Sequence, residues 1–269
     1  MAAAVPLPYR AFRTLMSERG DALHRLGRDG IYDRGRMMAP GGLLLLERMV
    51  GMSGLQPGSR VLDLGCGRAQ SSCYLASECG CFVTALDLWT PADQRLTCGD
   101  ESNAKAPSIL HLTGDFRRGL PAGSGPFDAV VALQSFHAFG ANRAAIRYAA
   151  RLLRSGGKLV LGQTCFSRRP VLDAPPFNAC GGFHTDYATY QTLAWWRDHI
   201  ESEHQFRTDH AEECSDGDVM WEDHFLYMGE RAGWSREFLV TFSWLGEQIR
   251  FGRKGGPHLT HLMLSATKL

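Results

Sequence analysis

The stretch Arg60–Gln70, with the sequence RVLDLGCGRAQ, decides the fold of this chain. It opens as an apolar run that is too short for a helix and is typical of a buried parallel strand. Gly65 and Gly67 follow, and glycine accepts positive φ and lets a ligand approach the main chain closely. From Gln70 the pattern is helical and is expected to end near Gly80. The strand, the glycine turn and the helix start together predict a site where main-chain amides face a ligand.

An acid at the end of the predicted strand distinguishes between two classes of cofactor. A dinucleotide site carries Gly-x-Gly-x-x-Gly and seats a pyrophosphate, whereas this chain has Gln70 at the third glycine position. The carboxylate of Asp63 would repel a pyrophosphate but could hold the ammonium group of S-adenosylmethionine. The residues therefore favour S-adenosylmethionine, and a nicotinamide oxidoreductase stays as the alternative.

The segment Val61–Gly67, VLDLGCG, resembles motif I of the class I S-adenosylmethionine-dependent methyltransferases. The resemblance departs at Ala69, where many members of the family have a third glycine. It implies an α/β fold, a Rossmann-like three-layer sandwich with a seven-stranded, mostly parallel sheet, an antiparallel last strand and helical or aromatic cap insertions. It also implies that this loop holds the amino-acid end of the cofactor. The residues assigned to that contact are Asp63, Gly65, Cys66, Gly67 and Gln70.

The end of the second predicted strand carries another acid. Asp87 follows the strand Phe82–Leu86 and lies about 20 residues beyond the glycines, a position that suits a bidentate bond to ribose hydroxyls. Leu88 and Trp89 come next and would flank the adenine. A crossover helix is expected over Pro91–Asn103.

A third acid, Asp115, follows the predicted strand Ser108–Thr113. In methyltransferases of this class, an acid at this point accepts a hydrogen bond from the adenine amino group, and Phe116 would lie beside it. A simple turn built by Gly114 and Asp115 is the competing interpretation.

The loop after the fourth predicted strand, Gln134–Gly140, is where methyl donor and acceptor are expected to meet, because Rossmann-type sheets bind ligands outside the carboxyl ends of their strands. Gln134 is assigned to the cofactor. His137 is the candidate base, or orienting group, because the pKa of a free histidine lies near neutrality. A purely structural histidine is the alternative interpretation. Tyr187 and His224 are reserve candidates for the same role.

Aromatic residues in this loop and in the C-terminal part are candidates for the substrate site. An acid-flanked aromatic pocket suits an amine cation, and equally a ring with a hydroxyl group. The alternative is that these side chains pack a cap against the sheet. The substrate candidates are Phe136, Phe139, His184, Trp195 and Trp221.

The chain is expected to have two parts. Residues 1–58 would form an N-terminal helical segment that covers the cofactor cleft. Residues 59–269 would form the methyltransferase domain, with substrate-cap insertions at 164–188 and 213–256.

Composition excludes several classes of protein. The 269 residues are 44% hydrophobic and carry a formal charge of +1 without a basic block, which argues against a nucleic-acid surface. No targeting peptide and no apolar run near the roughly 20 residues of a membrane span is evident. Eight cysteines without a Cys-x-x-Cys pair are typical of small buried side chains in a reducing compartment, so a cytoplasmic protein without stable membrane association is expected. No metal is expected, because the histidines and acids lack ligand spacing.

Together these patterns predict in-line methyl transfer from S-adenosylmethionine to a nitrogen or oxygen atom of a small molecule, with S-adenosylhomocysteine as the product. Asp87-Leu-Trp and the loop Ser135–Gly140 are most similar to bacterial small-molecule methyltransferases, some of the cyclopropane-synthase-like branch. Two alternatives stay open: a cyclopropane-forming or other lipid-modifying transferase, and a cofactor-binding protein without catalysis on the same fold. The sequence specifies neither the acceptor nor an oligomeric state.

Overall fold

The computed structural model describes residues 38–97, 109–169, 189–217, 220–221, 224, 233 and 259–269. The strands in this part of the chain are β1 (Arg60–Leu64), β2 (Phe82–Asp87), β3 (Ile109–Thr113), β4 (Phe127–Leu133), β5 (Leu153–Phe166), β6 (Phe206–Glu213) and β7 (Leu259–Lys268). The helices described are α1 (Gly42–Ser53), α2 (Gln70–Ser77), α3 (His137–Gly140), α4 (Arg143–Leu152) and α5 (Leu193–Glu201). Short 3₁₀ turns cover Ala92–Gln94 and Phe116–Arg118.

The described strands form one seven-stranded sheet in the order β3-β2-β1-β4-β5-β7-β6. Strands β1 to β5 are parallel, and β7 pairs antiparallel with both β5 and β6. The predicted sheet with an antiparallel last strand is therefore confirmed. Because β1 lies between β2 and β4, the connections leave it in opposite directions, and this switch point opens a crevice at the carboxyl ends of the strands.

Apolar layers cover both faces of the sheet, which makes the three-layer sandwich. Val61 on one face of β1 packs with α1 and α2, whereas Leu62 on the other face belongs to the core shared with α4 and α5. Alternate strand residues point to opposite faces, so a strand buried on both faces is apolar nearly throughout. Helix α1 approaches the sheet closely at Gly162, where an added Cβ would lie 2.1 Å from the sulfur of Met49.

The expected crossover helix over Pro91–Asn103 is wrong for its described part. Residues 91–97 contain only the 3₁₀ turn Ala92–Gln94, and residues 98–108 lie outside the described chain. The turn ends at Arg95, whose side chain runs back across the ends of β2 and β3 and donates hydrogen bonds to both strands. Those bonds hold the main chain against the sheet edge where a helix was predicted.

The predicted domain boundaries stay predictions, since much of the outlying chain is not described. Of residues 1–58, the structure describes 38–58, and α1 there forms part of the layer on one face of the sheet. The first predicted insertion begins inside β5, which continues to Phe166; residues 170–188 lie outside the described chain. Among the described residues, no helix is both long enough and apolar enough to cross a lipid bilayer.

Candidate active site

A cavity of about 640 Å³ opens at the carboxyl ends of the central parallel strands. Its wall combines the glycine turn after β1, the residues that follow β2 and β3, the loop after β4 and the start of α1. Twelve of the residues predicted from the sequence line it. They are Gly65, Cys66, Gly67, Gln70, Asp87, Leu88, Trp89, Asp115, Phe116, Gln134, His137 and Phe139.

The glycine turn forms a cradle that side chains would fill. Gly65 has φ +77°, and an added Cβ would lie 2.3 Å from Cβ of Ser135. Gly67 has φ +51°, and its Cβ would lie 2.8 Å from the sulfur of Met38. The amides of Gly65 and Cys66 both donate to the carbonyl of Leu86, which holds the turn against β2. Because the amides of all three residues bond within the protein, they do not face a ligand as the sequence predicts, and glycine instead lets the turn pack closely against its neighbours.

Asp63 differs from its predicted role. The residue is completely buried, does not line the cavity, and accepts hydrogen bonds at 2.6 Å from the hydroxyls of both Ser71 and Ser72. Burial raises the pKa of Asp63 to about 6, although the two hydroxyls oppose that shift. Asp63 thus lies outside the cavity lining, where its hydrogen bonds connect β1 to the start of α2. The structure gives no support to a direct contact with a cofactor ammonium.

Asp87 lies on the wall and is held by main-chain amides. One oxygen, Oδ2, accepts from the amide of Gly67 at 2.9 Å, and Oδ1 accepts from the amides of Trp89 and Thr90 at 2.9 and 2.8 Å. A carboxylate has about four acceptor positions, so about one remains for a ligand hydroxyl. The predicted bidentate bond is therefore replaced by room for a single hydrogen bond.

Large apolar side chains stand exposed at the mouth of the cavity. Trp89 is 81% exposed, Met38 61% and Leu88 42%, and all three belong to the lining. Exposed apolar surface beside a concave site is typical of a ligand-binding surface. A flat, apolar nucleoside base fits this surface next to the Asp87 carboxylate.

Asp115 forms the turn that the sequence offered as the competing interpretation, and because it also lines the cavity its contact with adenine stays a prediction. Its carboxylate caps the 3₁₀ turn by accepting from the amide of Arg117, and the Arg117 guanidinium pairs with both oxygens at 2.8 to 3.2 Å. These hydrogen bonds hold the pKa of Asp115 below its usual range, so the carboxylate stays ionised on the cavity wall. Phe116 is buried between Phe139 and Tyr148, at ring distances of 5.4 and 5.0 Å.

The loop after β4 is fixed by its own polar side chains. Gln134 has φ +56°; its amide nitrogen donates to the carbonyl of Pro40 at 3.1 Å, and its oxygen accepts from the amide and hydroxyl of Thr164 at 2.8 and 3.0 Å. The Ser135 hydroxyl donates to the carbonyl of Leu64. Gln134 lines the cavity, but its side chain joins β4, β5 and the chain before α1.

His137 begins α3 and lines the cavity as a half-buried side chain. Its ring meets the ring of Tyr190 edge-on, with centroids 5.0 Å apart. The predicted reserve residue His224 is described but does not line the cavity, and Tyr187 lies outside the described chain. Of the three candidates for proton transfer, the structure therefore brings His137 alone to the wall among the residues that it describes.

Three of the predicted substrate residues do not line the cavity. Phe136 is fully buried against Trp196, because the first turn of the loop directs it into the core. Trp195 stacks on His199 with centroids 4.4 Å apart, and Trp221 stacks on His261 at 6.0 Å; neither lines the cavity. His184 lies outside the described chain.

The wall also contains residues that the sequence did not single out, namely Arg68, Thr90 and Arg117. Met38, Gly42 and Leu43 line it too, and they belong to the segment 1–58 that is expected to cover the cleft. The residues before α1 carry no motif that specifies which of them faces the glycine turn. Within the described residues, no group of three or more histidine, cysteine, aspartate or glutamate side chains is arranged to hold a metal ion.

Comparisons with known proteins agree with this geometry. Residues 62–161 match a family model described as "Methyltransferase domain". A 27-O-demethylrifamycin SV methyltransferase of Amycolatopsis mediterranei (strain S699) is 30% identical over 158 residues, 57% of this chain and 56% of that protein. A sarcosine/dimethylglycine N-methyltransferase of Halorhodospira halochloris is 35% identical over 119 residues, 43% of this chain and 41% of that protein. The chain thus spans about half the length of these relatives.

Solved structures agree in fold. A methyltransferase from Thiobacillus denitrificans, in complex with S-adenosylhomocysteine, superimposes with a TM-score of 0.60 at 17% identity. The match covers 89% of this chain and 96% of that one. At this identity the likeness shows the fold.

Proposed function

Because residues 62–161 form a class I S-adenosylmethionine-dependent methyltransferase domain, we propose that this chain transfers a methyl group from S-adenosylmethionine to a nitrogen or oxygen atom of a small molecule. The observation that carries the proposal is the Asp87 carboxylate, held by three main-chain amides beside the glycine turn and next to the exposed Trp89. A nucleoside with free ribose hydroxyls matches this combination of one acceptor and an apolar surface.

The residues present fit S-adenosylmethionine along the whole wall. Gly65 and Gly67 line the cavity and would lie beside its amino-acid end, Asp87 would accept from the ribose, and Leu88 and Trp89 would cover the adenine. When bound, S-adenosylmethionine supplies a methyl group on a sulfonium, which is already a good leaving group. Most of the catalysis left to the protein is therefore alignment of the reactants and exclusion of water.

His137 is the residue on the wall that is suited to proton transfer. In the proposed reaction it accepts a proton from the attacking nitrogen or oxygen, or orients that atom by a hydrogen bond. By their names, one relative methylates 27-O-demethylrifamycin SV and the other methylates sarcosine and dimethylglycine. These names support a small-molecule acceptor. Nothing in the described residues favours the lipid-modifying alternative.

The proposal is tested by calorimetric titration with S-adenosylhomocysteine, with NAD as the competing ligand. We expect S-adenosylhomocysteine to bind and, at 100 times its Kd, to stabilise the protein by about 2.7 kcal/mol. Asp87→Ala should weaken binding more than about tenfold, because it removes a charged hydrogen-bond acceptor. The matched control Asp93→Ala changes a nearby exposed acid and should bind normally. Binding of NAD with no response to S-adenosylhomocysteine would refute the proposal.

A further inference from the structure

Arg95 is a buried cation that the proposed function leaves without a role. Its side chain is only 5% exposed and lies across the carboxyl ends of β2 and β3. Among the described residues, its hydrogen bonds go to neutral oxygens: the carbonyls of Ala85 (3.0 Å), Asp87 (3.3 Å), Thr90 (2.5 and 3.0 Å) and Leu112 (2.7 Å), and the Thr113 hydroxyl (3.3 Å). A guanidinium offers five donors in a rigid plane, and here that plane joins five residues of two strands and one loop.

Two of these acceptors belong to the turn that holds the Asp87 carboxylate. Thr90 donates its amide to Asp87 Oδ1 at 2.8 Å, and its carbonyl accepts from Arg95. The carbonyl of Asp87 itself also accepts from Arg95. The next residue, Leu96, donates its amide to the carbonyl of Arg68 at 3.0 Å, in the glycine turn. Arg95 therefore bonds to the main chain of the segment Asp87–Thr90, whose amides hold the Asp87 carboxylate at the cavity.

The charge of Arg95 matters because two carboxylates are buried nearby. Asp63 is fully buried and Asp87 nearly so, and the negative charge of Asp87 adds to the rise in the pKa of Asp63. Within the part of the chain that the structure describes, the hydrogen bonds of both carboxylates come from serine hydroxyls or main-chain amides. Arg95 acts in the opposite direction on Asp63. Charges interact strongly among buried groups, so Arg95 is placed to offset part of the negative charge of Asp63.

We propose that Arg95 is a positioning residue for the cofactor, which keeps the Asp87–Thr90 turn in its binding conformation and supplies a counter-charge for the buried Asp63. This inference rests on the proposed function, because the ligand of Asp87 is the cofactor. It predicts that loss of Arg95 impairs cofactor binding although Arg95 itself does not line the cavity.

The test is calorimetric binding of S-adenosylhomocysteine to Arg95→Met and Arg95→Lys, at a temperature where circular dichroism shows each variant folded. We expect binding to weaken at least about tenfold in Arg95→Met, with a loss of roughly two- to fivefold in Arg95→Lys, which keeps the charge but not the planar set of donors. The matched control is Arg154→Met. Arg154 pairs with Asp128 at the opposite end of β4, and its variant should bind within about twofold of the unaltered protein.

Each outcome bears on one claim. Failure of the unaltered chain to bind S-adenosylhomocysteine refutes the proposed function. Normal binding by both the unaltered chain and Arg95→Met overturns the role of Arg95, and equal losses in the Met and Lys variants overturn the counter-charge. If Arg95→Met does not fold, Arg95→Lys and Thr113→Val, which removes one acceptor of Arg95, decide instead. Unchanged affinity in both would then contradict the inference.

Discussion

Single residues at the cavity hold main-chain conformations that their side chains disfavour. Ala69 has φ +64° directly before α2, and Gln134 has φ +56° directly after β4. A left-handed conformation costs an L-residue roughly 1–2 kcal/mol, and such strain is concentrated at ligand sites. Ala69 occupies the position where many methyltransferases have glycine, so the chain keeps the family's turn at the cost of some stability. Gln134 is held in place by its bonds to Pro40 and Thr164.

His137→Ala is expected to lower kcat at least about tenfold and to leave the affinity for S-adenosylhomocysteine within about twofold, because a general base acts on the acceptor and not on the cofactor. Transfer of radiolabelled methyl groups to a panel of amines and phenols measures the rate, and calorimetry measures the affinity. His204→Asn is the control, since His204 is exposed and remote in the sequence from the cavity residues. Full activity of His137→Ala would leave this histidine a structural role only.

Asp63→Asn tests the buried carboxylate through pH. The pKa of Asp63 is raised to about 6 by burial, above that of an unfolded aspartate, so the native state holds the proton more tightly. Stability from this group is then present below about pH 4 and is lost as pH rises toward 6, about 3 kcal/mol in total. Asparagine does not titrate, so between pH 4.5 and 7.5 the free energy of unfolding of the variant should rise relative to that of the unaltered protein.

Urea unfolding across that pH range provides the measurement for Asp63→Asn. The control is Asp128→Asn, because the Arg154 hydrogen bond holds the pKa of Asp128 below its usual range and its titration lies below pH 4. Above about pH 5 the free energy of unfolding of this control should therefore change with pH in the same way as that of the unaltered protein. If the free energy of unfolding of Asp63→Asn also changes with pH in the same way as that of the unaltered protein, the carboxyl of Asp63 does not titrate as described.

At the scale of elements, one ion pair joins α1 to the chain that follows β6. Arg48 in α1 donates two hydrogen bonds to Asp216 at 2.7 and 2.8 Å, and the Asp216 side chain is nearly buried. Burial opposes ionisation of Asp216, but the bonds from Arg48 outweigh it and leave its pKa below the usual range. Because the start of α1 lines the cavity, this pair helps to fix one wall of the site.

Arg48→Met should destabilise the protein by about 2 kcal/mol at pH 7, because it leaves a buried carboxylate without its partner. Without Arg48, burial is the largest influence left on Asp216 and shifts its pKa upward from the value in the unaltered protein, so the variant should recover part of the lost stability as pH falls from 7 to 5. Chemical unfolding at both pH values measures this. Arg197→Met removes a pair with Asp198 in which both side chains are exposed, and it should cost less than about 1 kcal/mol. A loss in Arg48→Met that is independent of pH would contradict the explanation.

At the scale of the whole molecule, two cores on opposite faces of the sheet support one cavity at its edge. The core beside α4 and α5 includes Phe136, Trp196 and Ile200, all fully buried. Phe136 belongs to the same loop as His137, so its packing on Trp196 anchors the loop at the cavity. Phe136, which the sequence offered as a substrate contact, thus supports the site through its packing in the core.

Trp196→Ala should destabilise the protein by about 3–5 kcal/mol, since it removes a fully buried ring from this core. Trp195→Ala is the matched control one residue earlier, where the ring is half-buried and stacks on His199, and its loss should be clearly smaller. Thermal and urea unfolding of both variants give the comparison. Equal losses would place Trp196 outside the main core.

The sequence alone determined the parts of the site that depend on short-range order. The glycine turn, Asp87 at the end of β2 and His137 after β4 all follow from strand, turn and helix patterns, because the carboxyl ends of adjacent parallel strands meet at one edge. Residues on those turns must therefore meet there, whatever packs around them.

Only the tertiary structure decided which side chains face the cavity. Asp63 points to the α2 side of β1, where it meets Ser71 and Ser72, and Phe136 turns into the core beside Trp196. Arg95 joins β2 to β3 where a helix was expected. The physical reason is that a side chain's burial depends on elements distant in sequence that cover its face of the sheet, and no local pattern records which elements those are.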